Sequence, residues 1–349
     1  MRRSLLVLIG LGALLAACAD TGGSGTSTSL SPGRTTSGEV EDLIVYSGRN
    51  ENFVSPVVDA FTEATGIEVR VRYGDGTSDL AATLLNEGDT TDADVFWAQD
   101  PAWIGVIGDE GLLADLPPDI LDLVPNAYQD ADGGWVGVTG RTRVLVYNPD
   151  LVSEDELPQS VSELVDPKWA GRLGIAPGNA SFIAFVSAME LVEGPDATLA
   201  WLEGIASNGV QTYDGNGAIV DAVIAGDLDA GLVNHYYLLQ RIADQGEVPA
   251  RNHFFAPGDT GSLVMASGAG VLAPSDNQEA ANEFIRHLLS PESQEHFAVN
   301  LFEYGLIEGA PTPEGQAPIA DLAGPDINLS DLADHLDSSV DLIARAGLS

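Results

Sequence analysis

Two adjacent tyrosines, Tyr236 and Tyr237, are the residues of this chain whose type and spacing could do chemistry. They stand where a short apolar run, residues 230–234, gives way to a helical pattern. Successive side chains at the start of a helix diverge by only about 100°, so two phenols there can reach one ligand. Their hard oxygen donors suit a hard, highly charged cation. A pair of amphipathic side chains with hydroxyls in water is the alternative, and the two residues alone leave both open.

The elements that must position these tyrosines alternate between strand and helix. Hydrophobic periodicity predicts strands at 43–47, 67–73, 94–97, 172–176, 210–213 and 230–233. It predicts helices at 53–64, 79–87, 101–108, 181–192, 196–206 and 217–225. Later segments predict β structure at 261–266 and 270–273, and helices at 277–289, 291–299 and 329–346. An extended stretch at 135–148 separates the two series, which predicts an α/β fold of two lobes.

The N-terminus has the layout of an export signal. A short basic segment precedes an apolar stretch at 5–17 that is too short to span a bilayer. The stretch ends in Leu-Ala-Ala-Cys18, which resembles a bacterial lipobox and implies removal of residues 1–17 and acylation of Cys18. Because Cys18 is the single cysteine, no internal disulfide can form. We expect an exported protein, anchored by lipid on the outer face of the cytoplasmic membrane or in the periplasm.

Composition separates a tether from a folded body. Residues 18–40 are rich in Ser, Thr and Gly, which predicts a flexible tether with nothing to bury. The remainder is long for one domain and has the length expected of two lobes. It contains no hydrophobic run that could span a membrane.

Charge and missing motifs exclude several classes of function. The chain has 53 acidic and 14 basic residues, for a net charge of −39, which excludes nucleic acid and anionic lipid as partners. The carboxylates are scattered, as on a solvated surface. The sequence has no Gly-x-Ser-x-Gly, no His-Glu-x-x-His and no P-loop, and we expect no enzymatic activity.

Seven segments carry a resemblance to a known family. They are residues 43–49, 60–67, 93–96, 140–148, 166–174, 234–237 and 257–263. In order and spacing they resemble the ferric-ion-binding proteins of bacterial ABC importers. The resemblance implies a type II periplasmic-binding-protein-like fold, in which each lobe is a mixed sheet flanked by helices and crossover strands join the lobes at a hinge. On this basis lobe 1 is 41–142 plus 262–310, and lobe 2 is 143–261 plus 311–349.

The resemblance also implies a ligand set for Fe³⁺. Members of this family hold the ion between the lobes with two tyrosines, a histidine and an acidic residue or glutamine. Tyr236 and Tyr237 match the tyrosines, whereas Asn50 and Gln99 fall where the other two ligands stand. Neither is a strong ferric donor. Water, a bidentate anion, or a shift to Glu51 or Asp100 could complete the coordination. For each of these carboxylates a surface charge is the favoured interpretation, because adjacent residues at a strand end tend to point away from each other.

A synergistic anion, carbonate or phosphate, accompanies the metal in this family. The turn that contains Asn179, Ala180 and Ser181 opens a predicted helix, where backbone N–H groups and the helix dipole favour an oxyanion. The resemblance places Asn216 and Asn234 at further anion contacts, and Arg141 at the hinge-side arginine. Taken singly, each could be only a cap or turn residue. His235, beside the tyrosines, could be a surface residue or could support or replace a ligand.

These expectations define a function and one alternative. The chain is predicted to be a monomeric substrate-binding lipoprotein that captures ferric iron and delivers it to an ABC permease with its ATPase, touching the membrane only through its lipid anchor. The alternative is a receptor of the same fold for an anionic small molecule such as a phosphonate or carboxylate. Asn50 and Gln99 favour this alternative because they weaken the expected metal site.

Overall fold

The computed structural model describes residues 42–74, 76–322 and 324–348. The strands are β1 (Leu43–Ser47), β2 (Val69–Tyr73), β3 (Val95–Ala98), β4 (Val136–Tyr147), β5 (Leu173–Ile175), β6 (Gln211–Thr212), β7 (Ala230–Asn234), β8 (Arg251–His253), β9 (Val264–Val271) and β10 (Tyr304–Gly305). The helices are α1 (Glu51–Thr65), α2 (Thr77–Glu87), α3 (Pro101–Asp109), α4 (Pro118–Leu121), α5 (Ala180–Glu193), α6 (Pro195–Ser207), α7 (Asn216–Ala225), α8 (Tyr236–Gln245), α9 (Gln278–Leu288), α10 (Pro291–His296) and α11 (Leu336–Arg345). The predicted signal, tether and lipidated Cys18 lie outside the described residues. None of the described helices is long and apolar enough to cross a membrane.

The strands form a mixed sheet in the order β2-β1-β3-β9-β4-β7-β5-β6, with β8 and β10 also paired to β4. β1 is parallel to both β2 and β3, and helices α1 and α2 make the crossovers. β9 is antiparallel to both β3 and β4. The α/β prediction is therefore confirmed, with parallel units joined by antiparallel strands.

Strand β4 connects two halves of the molecule. Its residues 136–142 pair with β9, and its residues 143–147 pair with β7 and β8. One hydrophobic core packs around Phe61, Trp97 and Phe284, and a second core packs around Phe185 and Trp201. Two cores on either side of a shared strand are the arrangement expected for two lobes with a hinge at β4.

Two predicted segments have a different structure, and α4, β8 and β10 are elements that the sequence patterns did not predict. The stretch predicted as two β segments is the single strand β9, in which glycines interrupt the hydrophobic pattern. One of them is Gly270, where an added Cβ would lie 2.7 Å from the carbonyl oxygen of Gly134, so close packing against the neighbouring backbone requires glycine. Residues 329–346 were expected to form one helix, but Leu329–His335 is a 3₁₀ segment and the α-helix begins at Leu336.

The C-terminal residues contact both halves. The 3₁₀ segment packs against α3, close to Gly105, where an added Cβ would lie 3.2 Å from the carbonyl oxygen of Ser330. Helix α11 packs against α5 and α6 and contributes Leu342 and Ile343 to the second core. The residue limits given above for the two lobes therefore remain a prediction.

Candidate functional site

Nine of the predicted site residues line one cleft of about 470 Å³. They are Asn50, Gln99, Arg141, Asn179, Ala180, Ser181, Asn234, Tyr236 and Tyr237. Gly48, Phe53, Asp100 and Gln240 complete the lining. Residues from both halves of the sheet contribute, although they are far apart in sequence. The tenth predicted residue, Asn216, is buried behind this surface, where its amide donates to the Asn179 side chain at 3.2 Å.

The tyrosine pair begins helix α8, directly after β7. The two rings stack with centroids 4.4 Å apart and an interplanar angle of 26°. Burial raises the pKa of Tyr236 well above its ordinary value, and the neighbouring phenol of Tyr237 raises it further. Tyr236 is therefore a neutral phenol in the absence of metal. A bound cation of high charge would be needed to displace its proton.

The first half of the sheet supplies two amides at the carboxyl ends of β1 and β3. Asn50 is the N-cap of α1, and its side-chain oxygen accepts a hydrogen bond from the backbone N–H of Asn52 at 3.0 Å. The backbone N–H of Gln99 donates to Thr77 Oγ1 at 3.1 Å. Since parallel neighbouring strands end at the same edge of a sheet, the two amides face the same cleft.

The two alternative carboxylates have different positions. Glu51 is exposed and is not part of the cleft lining. Asp100 lines the cleft and is buried, so it is not a surface charge. Its Oδ1 accepts a hydrogen bond from the backbone N–H of Trp103 at 3.2 Å, whereas its buried Oδ2 has no partner among the described residues. Burial raises the pKa of Asp100 to about 6, although the nearby Arg141 charge opposes the rise.

The N-terminus of α5 lines the cleft beside the tyrosines and belongs to the same half of the molecule as they do. Asn179 caps this helix, since its Oδ1 accepts hydrogen bonds from the backbone N–H of Ser181 at 3.0 Å and from its hydroxyl at 2.6 Å. The positive end of a 14-residue helix therefore points at the cleft beside Ala180. Such an end favours a negatively charged ligand.

Arg141 is a buried cation without a hydrogen-bond partner in the described part of the chain. Its side chain lines the cleft, only 1% of the residue is exposed, and none of its three guanidinium nitrogens forms a hydrogen bond. An unpaired buried charge is costly, because the guanidinium gives up water and gains no acceptor. An anion in the cleft would supply the missing acceptors.

Arg143 is a second buried cation at the site, which the sequence patterns did not single out. Its guanidinium is buried beneath the cleft and donates hydrogen bonds to Asn234 Oδ1 at 3.1 Å and Ser181 Oγ at 3.2 Å. Burial lowers its pKa to about 9, so it carries its charge at neutral pH. The available signal was its position two residues after Arg141 on a strand, which places both side chains on the same face.

His235 is a buried residue and not a surface residue. It is fully buried, its Nδ1 accepts from the backbone N–H of Thr142 at 3.4 Å, and its Nε2 donates to the Phe302 carbonyl at 2.7 Å. Burial lowers the pKa of its imidazole to about 4. With both nitrogens engaged by backbone, the ring fastens the start of α8 to the hinge strand.

The loop that carries Asn50 is held by a buried ion pair. Arg49 donates to Glu303 Oε2 at 2.8 Å and to Thr139 Oγ1 at 2.9 Å. Burial alone would raise the pKa of Glu303, but Arg49 and Arg141 outweigh this effect and hold it below its ordinary value. The pair anchors the start of α1 to β4.

Most of the chain is similar to proteins of known family. Residues 57–317 match the family of bacterial extracellular solute-binding proteins. The chain is 36% identical over 311 residues to an Fe(3+)-binding periplasmic protein of Serratia marcescens, covering 88% of this chain and 91% of that protein. It superposes with a TM-score of 0.82 and 33% identity on iron-bound HitA from Pseudomonas aeruginosa, covering 88% of this chain and 99% of the other.

A second solved structure carries an anionic ligand. The Trichodesmium protein IdiA (FutA), solved in complex with iron and citrate, superposes with a TM-score of 0.77 and 26% identity, covering 88% of this chain and 100% of that chain. A putative 2-aminoethylphosphonate-binding periplasmic protein of Salmonella typhi is more distant, at 26% identity over 242 residues and 68% of each chain. The chain thus belongs to the family of bacterial extracellular solute-binding proteins, which confirms the predictions of an exported chain and a two-lobed α/β fold.

Proposed function

We propose that this protein captures ferric iron together with a synergistic anion between its two halves. The observation that carries the proposal is that two phenols and a buried guanidinium, which has no hydrogen-bond partner in the described part of the chain, line one cleft. Phenolate oxygens supply hard donors for a hard cation, and the guanidinium supplies the charge that holds an anion beside it. The Serratia and Pseudomonas relatives, named for Fe(3+) binding and solved with iron, support the same assignment.

The roles divide between the two halves. Tyr236 and Tyr237 bind the metal, and closure about the hinge brings Asn50 and Gln99 to it from the other half. The anion is carbonate or phosphate. It lies against the N-terminus of α5 and Arg141, with contacts assigned to Asn179, Ala180, Ser181 and Asn234. Asn216 supports this surface from behind through its hydrogen bond to Asn179. This division is supported by a lining that draws on both halves.

The family of this chain also supports a proposal for how the bound iron is delivered to the membrane. The closed protein is a monomer that docks on an ABC permease, and the ATPase of the transporter drives release across the membrane. Acylated Cys18 would hold the protein at the membrane, with residues 18–40 as its tether. The fold carries no proposed enzymatic step.

A ferric titration tests the proposal. Metal-free protein is titrated with ferric citrate in phosphate or bicarbonate buffer while visible absorbance is recorded. We expect a phenolate-to-iron charge-transfer band that saturates at one ion per chain, because Tyr236 loses its proton only to a bound cation. A colourless protein that takes no iron from citrate would refute the proposal.

A receptor for an anionic organic molecule is the second candidate. Its supporting observation is that Asn50 and Gln99, both weak ferric donors, line the same cleft as the buried guanidinium of Arg141. The same titration separates the candidates if it is repeated with 2-aminoethylphosphonate. Saturable phosphonate binding without a visible band would favour the organic ligand.

Asn50→Asp should strengthen ferric binding. Aspartate caps a helix as well as asparagine does, so α1 keeps its N-cap while the cleft gains a charged oxygen donor. We expect the ferric affinity to rise roughly tenfold, equivalent to about 1.4 kcal/mol, as measured by competition with citrate. Asn86→Asp, an exposed position on α2, is the matched control. Equal affinities in the two variants would place Asn50 outside the metal site.

A further inference from the structure

Arg143 donates hydrogen bonds to several groups at once. Its Nη1 donates to Asn234 Oδ1 at 3.1 Å, Ser181 Oγ at 3.2 Å and Asn216 Oδ1 at 3.4 Å. Its Nη2 donates to the Leu232 carbonyl at 3.1 Å. Arg143 and Asn234 are directly opposite in the antiparallel pairing of β4 with β7. One guanidinium thus contacts two of the side chains assigned to the anion, Ser181 and Asn234, as well as Asn216 behind them, although it is not itself part of the cleft lining.

These contacts determine which way two amides point. A guanidinium only donates hydrogen bonds, so Asn234 and Asn216 must each turn their oxygen toward Arg143. The amide NH₂ of each asparagine then points the other way. The NH₂ of Asn216 donates to Asn179 Oδ1 at 3.2 Å, while Asn234, whose amide nitrogen has no acceptor among the described residues, lines the cleft. A reversed amide would present an oxygen to the cleft and repel an anion.

We infer that Arg143 is a positioning residue for the anion, which sets the amide of Asn234 as a donor toward the cleft and supports Arg141 with a second buried positive charge. The inference rests on the proposed function only in that it concerns the same anion site. Two guanidiniums on one strand favour a doubly charged oxyanion over a singly charged one, because each adds to the positive potential of a poorly solvated cleft. Lysine could not replace this role, since its compact ammonium lacks the planar fork that reaches several acceptors.

The test measures inorganic phosphate binding to metal-free protein by calorimetry, with thermal unfolding recorded in parallel. Arg143→Lys should bind phosphate roughly tenfold more weakly, because an ammonium cannot hold both amide oxygens. Asn234→Asp separates orientation from stability. Its carboxylate remains an acceptor for Arg143, so the melting temperature should not fall, yet it donates nothing to the anion, and phosphate affinity should drop at least tenfold. Arg286→Lys, which alters an exposed ion pair with Asp119, is the control.

The outcomes decide between a positioning and a purely structural role. Reduced phosphate affinity in Arg143→Lys, or in Asn234→Asp with an unchanged melting temperature, supports the inference. Unchanged affinity in a folded Arg143→Lys variant overturns it, and so does unchanged affinity in Asn234→Asp. If Arg143→Lys fails to fold, Asn234→Asp decides alone. Absence of both phosphate and bicarbonate binding by the unmodified protein also overturns it.

The assay contains no iron, so its failure is distinct from failure of the proposed function. A protein without a ferric band whose phosphate binding depends on Arg143 would keep this inference and lose the iron assignment. A protein that shows the ferric band, but whose phosphate affinity does not change when Arg143 is substituted, would keep the iron assignment and overturn this inference.

Discussion

Tyr237→Phe is expected to lower ferric affinity by about three orders of magnitude, as one charged oxygen ligand is lost, and to remove at least half of the charge-transfer band. Phenylalanine keeps the ring that stacks 4.4 Å from Tyr236, so the change removes the donor oxygen and preserves the packing. The remaining phenol of Tyr236 accounts for any residual colour. Absorbance and competition with citrate measure the two effects.

The matched control is Tyr213→Phe. Tyr213 is only partly buried, and its hydroxyl donates to Gln211 Oε1 at 3.4 Å, away from the cleft lining. This variant should bind iron with unchanged affinity and colour. If Tyr237→Phe instead behaves like its control, the phenol pair is packing only, and the metal lies elsewhere.

Arg141→Met should weaken phosphate binding to the metal-free protein about a hundredfold, because the anion loses its charged, otherwise unpartnered donor. Ferric affinity should then no longer depend on phosphate concentration. The melting temperature should change little. Methionine removes a buried guanidinium that has no hydrogen bonds among the described residues, but it also removes the attraction that Asp100 and Glu303 receive from Arg141. The two effects oppose each other.

The pairing of these measurements makes the test specific. Calorimetry reports the anion, absorbance reports the metal, and thermal unfolding reports the fold. Arg286→Met, on an exposed helix face, should alter none of them. A large loss of stability with unchanged phosphate affinity would assign Arg141 to the hinge and not to the anion.

Local sequence patterns determined most of the secondary structure. Helix α1 and its closing residue Gly66 follow from apolar spacing and from glycine at a positive φ of 77°. The caps Asn50 and Asn179 depend on hydrogen bonds to residues two positions away. Interactions of such short range depend mainly on a few neighbouring residues, so they can be read from the local sequence. The tyrosine pair, at the end of a strand and the start of a helix, belongs to this class.

The site itself required contacts between residues distant in sequence. The hydrogen bond from His235 to the Phe302 carbonyl spans 67 positions, and the ion pair between Arg49 and Glu303 spans 254. Local periodicity carries no information on such pairs, because they depend on which strands neighbour β4 and in what register. For that reason the sequence analysis left His235 open between two roles and passed over Arg143.

The sequence by itself therefore determined the residue types, the order of strands and helices, and the two phenols as possible ligands for a hard cation. Only the tertiary structure decided that Asp100 is buried, that Arg141 has no hydrogen-bond partner among the described residues, and that Arg143 turns the amide of Asn234 toward the cleft. The physical reason is that burial and charge depend on the packing of both halves around one strand. The chemical type of a side chain is known from the sequence, whereas its solvation and its hydrogen-bond partners depend on the residues that pack around it.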